Sequence, residues 1–78
     1  MDITAAQCRA ARALLNLKQD ALAELSRVSR RTIAYFENGE RMAVPATVEA
    51  LRRALEAQGV IFIAENGDGP GVRIRKGA

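Results

Sequence analysis

Two arginines and a tyrosine carry most of the recognition chemistry in this sequence. Arg30 and Arg31 are adjacent, and Tyr35 follows four residues after Arg31. An arginine guanidinium can donate two parallel hydrogen bonds to the O6 and N7 atoms of guanine, or it can bind phosphate alone. A tyrosine can contact a thymine methyl group, donate its hydroxyl to phosphate, or cover the margin of a core or a dimer. These three side chains therefore suit nucleic-acid binding, and each could contact either a base or a phosphate.

The remaining composition argues against catalysis and metal binding. The 78 residues include no histidine and a single cysteine, which excludes a disulfide framework and a Cys/His zinc site. No nucleophile lies beside a base, so we expect no enzyme activity, no cofactor and no small-molecule substrate. Cys8 is predicted to be a small buried side chain, because a redox thiol would need a basic and exposed setting.

Charge and hydropathy bear on the binding partner and on the cellular location. Twelve basic and nine acidic residues give a net charge of +3 and a pI of about 9.8, which permits a nucleic-acid partner without requiring one. No apolar run approaches the roughly 20 residues of a membrane span, and the N-terminus lacks the pattern of a signal peptide. We expect a cytoplasmic protein with no membrane partner.

The arginines and the tyrosine need a short helix that presents them on one side. Ser29 is suited to cap a helix start, and Asn38-Gly39 is typical of a helix that ends in the left-handed conformation. Ile33 and Phe36 are three residues apart and are predicted to face inward. That orientation leaves the two arginines and the tyrosine on the opposite side.

A second short helix is predicted just before this one, from about Gln19 to Ser26. Leu22 and Leu25 are spaced i, i+3 on it, and residues 26–28 form a tight turn to the next helix. Two helices joined in this way form the layout of a DNA-reading unit, in which the N-terminal residues of the second helix reach base edges in the major groove.

Specific residues around this turn carry a family resemblance. They are the glutamine after Leu17-Lys18, the Leu-Ala-Glu-Leu run 22–25, Val28-Ser29, Thr32-Ile33 and Glu37-Asn38-Gly39. From about Ile3 to Val60 the chain resembles the helix-turn-helix domains of the phage repressor and Cro family, also called XRE-type regulators. The resemblance implies a mainly α fold, a four-to-five-helix lambda-repressor-like domain, here followed by a C-terminal β-hairpin.

The resemblance also implies which residues contact double-stranded DNA. Gln19 would span a phosphate and a base edge, and Asn38 and Arg41 would contact phosphates beyond the recognition helix. Ser29 is first of all a helix cap, and Thr32 would donate to phosphate. The predicted DNA-binding set is Gln19, Arg27, Ser29, Arg30, Arg31, Thr32, Tyr35, Asn38 and Arg41.

Four further residues bear on how the recognition helix is held. Relatives usually have glycine where this chain has Arg27, so either the turn is altered or a cost of about 1 kcal/mol is tolerated in return for a phosphate contact. Lys18 replaces the usual Ser or Thr cap of the second helix. By resemblance, Arg12 and Glu37 are predicted to form a structural ion pair between the first and third helices.

The flanking helices are predicted from caps and apolar spacing. Thr4 and Gln7 form a capping box for a first helix over Ala5 to Leu15, whose inward residues would be Cys8, Ala11, Leu14 and Leu15. A fourth helix should begin near Pro45 and stop at Gly59, with an inward stripe of Val48, Leu51 and Leu55.

The chain changes to a strand pattern after this helix. Two β-rich runs, 60–64 and 72–75, flank a Gly-rich loop and predict a hairpin. We divide the chain into a helix-turn-helix domain, 1–59, and a hairpin arm of the same domain, 60–78. The first strand is apolar on both faces, so we expect homodimerisation; the alternative is that both faces pack within one chain. The predicted dimer residues are Val60, Ile61, Phe62, Ile63, Val72 and Ile74.

Two functions remain open at this point. The first is a sequence-specific, dimeric transcriptional repressor whose two recognition helices read a palindromic operator about 34 Å apart. The alternative is an antitoxin or adaptor whose main partner is another protein bound through the hairpin.

Overall fold

In a computed structural model that describes residues 2–40 and 43–77, four helices precede a two-stranded antiparallel hairpin. The elements are α1 (Ala5–Leu15), α2 (Gln19–Ser26), α3 (Arg30–Asn38), α4 (Pro45–Ala57), β1 (Val60–Ile63) and β2 (Gly71–Ile74). This arrangement confirms the predicted fold class. The strands are one residue out of step with their predicted ends, since β1 stops at Ile63 and β2 runs from Gly71 to Ile74.

Local hydrogen bonds define where the helices begin. Gln7 N donates to Thr4 Oγ1 at 3.0 Å and Thr4 N donates to Gln7 Oε1 at 2.9 Å, which is the predicted capping box. Ser29 Oγ accepts from Thr32 N at 3.1 Å and so caps α3. Lys18 makes no side-chain cap for α2, and Pro45 opens α4. The starts of α1, α3 and α4 follow from residue chemistry alone.

One hydrophobic core joins the helices to the hairpin. Its buried members are Ile3, Cys8, Ala11, Leu22, Ile33, Val48, Leu51, Leu55, Val60 and Phe62. The prediction that Leu14 faces inward is wrong, because its side chain is 49% exposed. Leu25 is also exposed, although it is spaced i, i+3 from buried Leu22.

The hairpin packs its inner face on the helices of its own chain. Val60 pairs with Ile74 and Phe62 with Val72, and these two pairs form the inner face. Val60 and Phe62 are buried in the core, while Val72 and Ile74 pack against it. Those four side chains therefore serve the chain's own core, and the dimer interface predicted for this arm stays a prediction. Ile61 and Ile63, half-buried on the other face, stay candidates for a partner.

Gln7 fastens the hairpin to α1. Its Nε2 donates to the carbonyl oxygens of Ile63 and Gly71, each at 3.0 Å, while its Oε1 completes the capping box. The side chain is nearly fully buried, and every one of these contacts satisfies a polar atom that burial would otherwise penalise. A single residue therefore fixes both the start of α1 and the position of the sheet against it.

Candidate nucleic-acid interface

The turn between α2 and α3 has the backbone shape that its family position requires. Arg27 ends α2 in the left-handed conformation, with φ 64° and ψ 21°, and its N–H donates to Ala23 O at 2.9 Å. Ser26 Oγ donates to Leu22 O and accepts from Val28 N, which fixes the following residue. The turn is thus adopted without glycine, at a strain cost of about 1 kcal/mol.

The helix that follows has two contrasting faces. Ile33 and Glu37 are buried, whereas Arg30, Arg31 and Asn38 are exposed. Because four residues advance a helix by a little more than one turn, Glu37 lies almost above Ile33 on the inner side. The two arginines of the first turn therefore face solvent from a helix whose other side is held in the core.

Glu37 is the centre of a buried polar network that holds α3 against α1. Arg12 donates from Nε to Oε2 at 2.7 Å and from Nη2 to Oε1 at 2.6 Å, a two-pronged ion pair. Cys8 Sγ donates to Oε2 at 3.2 Å, and Arg9 Nη1 donates to the backbone oxygen of Glu37. Such a fork fixes orientation as well as distance.

These contacts decide the ionisation of the network. Burial alone would raise the pKa of Glu37, but hydrogen bonds from Arg12, Gln19 and Cys8 outweigh it and hold that pKa below its ordinary value. The hydrogen bond to Glu37 raises the pKa of Arg12, against the effect of burial. Burial, and then the neighbouring carboxylate, raise the pKa of Cys8, so this residue is a buried thiol and not a reactive thiolate, as predicted.

Gln19 is joined to the same carboxylate. Its Nε2 donates to Glu37 Oε1 at 3.0 Å, and its side chain is half-buried at the first position of α2. The family resemblance implied that this amide spans a phosphate and a base edge. This bond uses one of the two hydrogens on the amide nitrogen, so the second hydrogen, the amide oxygen and the backbone N–H groups of this first turn are left for such contacts.

The remaining predicted residues lie around the turn and along α3. Ser29 Oγ donates to Thr32 Oγ1 at 2.9 Å, so both hydroxyls belong to the cap. Thr32 and Tyr35 are half-buried, and Arg27 and Ser29 are exposed. Arg41 falls outside the described residues. Within residues 2–40 and 43–77, no group of His, Cys, Asp or Glu is arranged to hold a metal ion, and no helix is long and apolar enough to cross a membrane.

One residue of this surface was missed from sequence. Asp20, in the first turn of α2, approaches Arg30 in the first turn of α3, with 2.9 Å between Oδ1 and Nε. Both side chains are largely exposed, at 76% and 66%. The sequence offered one signal for this contact: an acidic residue, Asp20, in the first turn of the helix that precedes the recognition helix.

Comparison with known families agrees with this geometry. The helix-turn-helix family matches residues 9–58, more than half of the chain, from within α1 to the end of α4. The chain belongs to the XRE-type helix-turn-helix family. This helix-turn-helix protein is accordingly a DNA-binding transcription regulator, as the resemblance implied. The match stops before the hairpin. No curated protein matches the chain.

Proposed function

We propose that this helix-turn-helix protein is a dimeric, sequence-specific repressor that reads a palindromic operator with α3 in the major groove. The observation that carries the proposal is the exposed pair Arg30 and Arg31 on the first turn of a capped helix whose inner face is locked by Glu37. The first turn is the part of a recognition helix that reaches base edges. We assign base contact to this turn and expect no catalytic activity.

The locked inner face supports sequence reading. A base contact works only if the helix approaches the groove at a fixed angle, and Arg12 holds Glu37 by two hydrogen bonds to α1. Arg9 adds a bond to the backbone of the same residue. We propose that this brace is what makes α3 a reader and not only a basic patch.

Phosphate contacts would set the register of the helix on the duplex. We propose that they come from the turn and from both ends of α3, through side chains and backbone N–H groups. The residues proposed for this role are Gln19, Arg27, Ser29, Thr32, Tyr35, Asn38 and Arg41. Because DNA is the partner, we also propose a cytoplasmic location.

The outer face of the hairpin supports a dimer. Ile61 and Ile63 are only half-buried, and the two-stranded sheet has strand edges that a second chain can extend. We propose that residues 60–78 are the dimerisation arm of a domain whose reading unit is 1–59, with Ile61 and Ile63 in the interface. Two recognition helices would then enter successive major grooves about 34 Å apart.

A second candidate function rests on the same hairpin. Its outer apolar side chains lie beyond the residues that the family match covers. An antitoxin or adaptor would use that face to bind another protein, with the helix-turn-helix as a scaffold. This candidate ranks second because it gives no role to the exposed arginines of α3.

The experiment is selection of bound duplexes from a random pool, followed by affinity measurements on the enriched site. A palindrome with half-sites about one helical turn apart is expected. Arg30→Ala or Arg31→Ala should cost about 1–3 kcal/mol and relax one base position if the side chain reads a base, and should weaken all duplexes alike if it binds phosphate. Arg53→Ala, an exposed arginine on α4, is the control. Absence of enrichment would favour the second candidate.

A further inference from the structure

The Asp20–Arg30 ion pair joins the first turns of the two helices that flank the recognition turn. Its atoms are 2.9 Å apart and its side chains are mostly exposed. Exposed ion pairs of this kind add little to stability, because solvent screens them and two long side chains must be ordered. The fold therefore has little use for this contact, and a role in binding is the better explanation.

A carboxylate at this place is unfavourable for contact with DNA in general. Phosphates repel it, and it partly cancels the positive charge of Arg30 for any phosphate nearby. Arg31, the next residue, makes no ion pair among the described residues and carries its full charge on the same turn. The two arginines are thus electrostatically unequal: one is free to bind any phosphate, and the other is tied to an acid.

The chemistry of bases favours the tied arginine as a reader. A guanidinium has five donors, so one carboxylate at Nε leaves donors that can fork onto guanine O6 and N7. Pairing also reduces the rotamers that Arg30 samples before binding, which lowers the entropy lost on forming the fork. In the major groove a carboxylate can accept a hydrogen bond from cytosine N4, while the acceptors of adenine N7 and thymine O4 would repel it.

We propose that Asp20 is a positioning residue for specificity, which orients Arg30 toward a G·C pair and weakens its binding to phosphate. This rests on the proposed function, because it requires that the start of α3 enters the major groove. Asp20 should lower affinity for random DNA more than affinity for the operator. The operator is expected to carry G·C where Arg30 reads it.

The test compares Asp20→Asn with Glu24→Gln on the full chain. Asparagine keeps the size of Asp20 and removes its charge. Glu24 is an exposed acid one turn further along α2 that forms no ion pair among the described residues, so Glu24→Gln provides the same charge change without breaking the contact to Arg30. Dissociation constants are measured for the enriched duplex and for a scrambled duplex across a salt series. Thermal unfolding of each variant shows that the fold is retained.

The expected result separates the two acids. Asp20→Asn should strengthen binding to the scrambled duplex and steepen its log–log salt dependence by about 0.9, the value for one additional phosphate contact. It should also reduce the ratio of operator to scrambled affinity by about tenfold, within the range of one base contact. Glu24→Gln should shift both affinities together. In an Arg30→Ala background, Asp20→Asn should no longer change the ratio.

Two outcomes overturn the inference, and they are distinguishable. If the wild type prefers its enriched duplex and Asp20→Asn keeps the same ratio and salt dependence, Asp20 is only a surface ion pair, while the proposed function stands. If the wild type shows no preference among duplexes, sequence reading by α3 fails and the role of Asp20 fails with it.

Discussion

Glu37→Ala should strongly destabilise the fold. The carboxylate is 1% exposed and accepts two hydrogen bonds from Arg12, one from Gln19 and one from the Cys8 thiol. Removing one partner of a buried pair costs about 3–5 kcal/mol, since the other charge is left uncompensated. Because Arg12 keeps 20% exposure and can reach water, we expect the lower end, about 3 kcal/mol.

That loss is large for a chain of this size. At about 0.05–0.15 kcal/mol per residue, the 78-residue chain has roughly 4–12 kcal/mol of stability in total. At about 4–8 °C per kcal/mol, the midpoint of thermal unfolding should fall by about 12–24 °C. Calorimetry or circular dichroism measures the midpoint, and urea unfolding gives the free energy.

Controls separate the buried pair from charge in general. Glu49→Ala removes a carboxylate that accepts from Arg52 and Arg53 on the exposed side of α4, and should shift the midpoint far less. The double variant Arg12→Ala/Glu37→Ala should be less unstable than the two single losses added together. A Glu37→Ala midpoint within about 2 °C of the wild type would refute the claim that this pair holds α3, since it corresponds to well under 1 kcal/mol.

The same residue gives a pH dependence with a definite sign. The pKa of Glu37 is lower in the folded chain than in the unfolded one, so the unfolded state binds the proton more readily. Its stabilising contribution is therefore complete above the ordinary carboxyl pKa of about 4.3 and is lost as pH falls through the folded value. The stability difference between the wild type and Glu37→Gln should shrink steadily below that pH. A difference that is constant down to strongly acid pH would contradict the assignment.

Two further predictions concern the turn and the thiol. Arg27→Gly should raise the free energy of unfolding by about 0.5–1 kcal/mol, because glycine adopts positive φ without strain. If Arg27 makes the proposed phosphate contact, the same change should weaken binding to all duplexes alike. A fall in stability would show that Arg27 is not strained. Cys8 should react with a thiol reagent only as fast as the chain unfolds, because it is fully buried with a raised pKa, and rapid labelling of the native chain would refute this.

The helices were predictable because their starts depend on residues close together in the sequence. Which side of a helix faces the core, and which residues of different helices meet, were harder to predict. Thr4 and Ser29 mark helix starts through contacts with residues three positions away, and Pro45 marks one through its fixed φ. Sequence order already supplies all three signals. Leu14 was misplaced because apolar character was given more weight than angle: six residues after Cys8, it is rotated by about 120° from the inner side. The Arg12–Glu37 pair was available only through the family resemblance.

Contacts between distant segments were beyond the sequence. The approach of Asp20 to Arg30 depends on how two helix starts meet, and the bonds from Gln7 to the strands span more than fifty residues. The sequence pattern predicted both strands of the hairpin but not the surface on which they pack. Alternation of apolar and polar residues does not distinguish an apolar face that packs on its own helices from one that packs on a second chain. The structure places Val60 and Phe62 in the chain's own core.

The most direct test of the central claim, that α3 is the surface that reads DNA, is an NMR titration of the isotope-labelled chain with the enriched duplex. We expect the largest amide shifts at the first turns of α2 and α3, around Gln19, Arg30 and Arg31, with small changes in the core strand Val60–Ile63. Shifts confined to the hairpin, with α3 unchanged at saturating duplex, would contradict it.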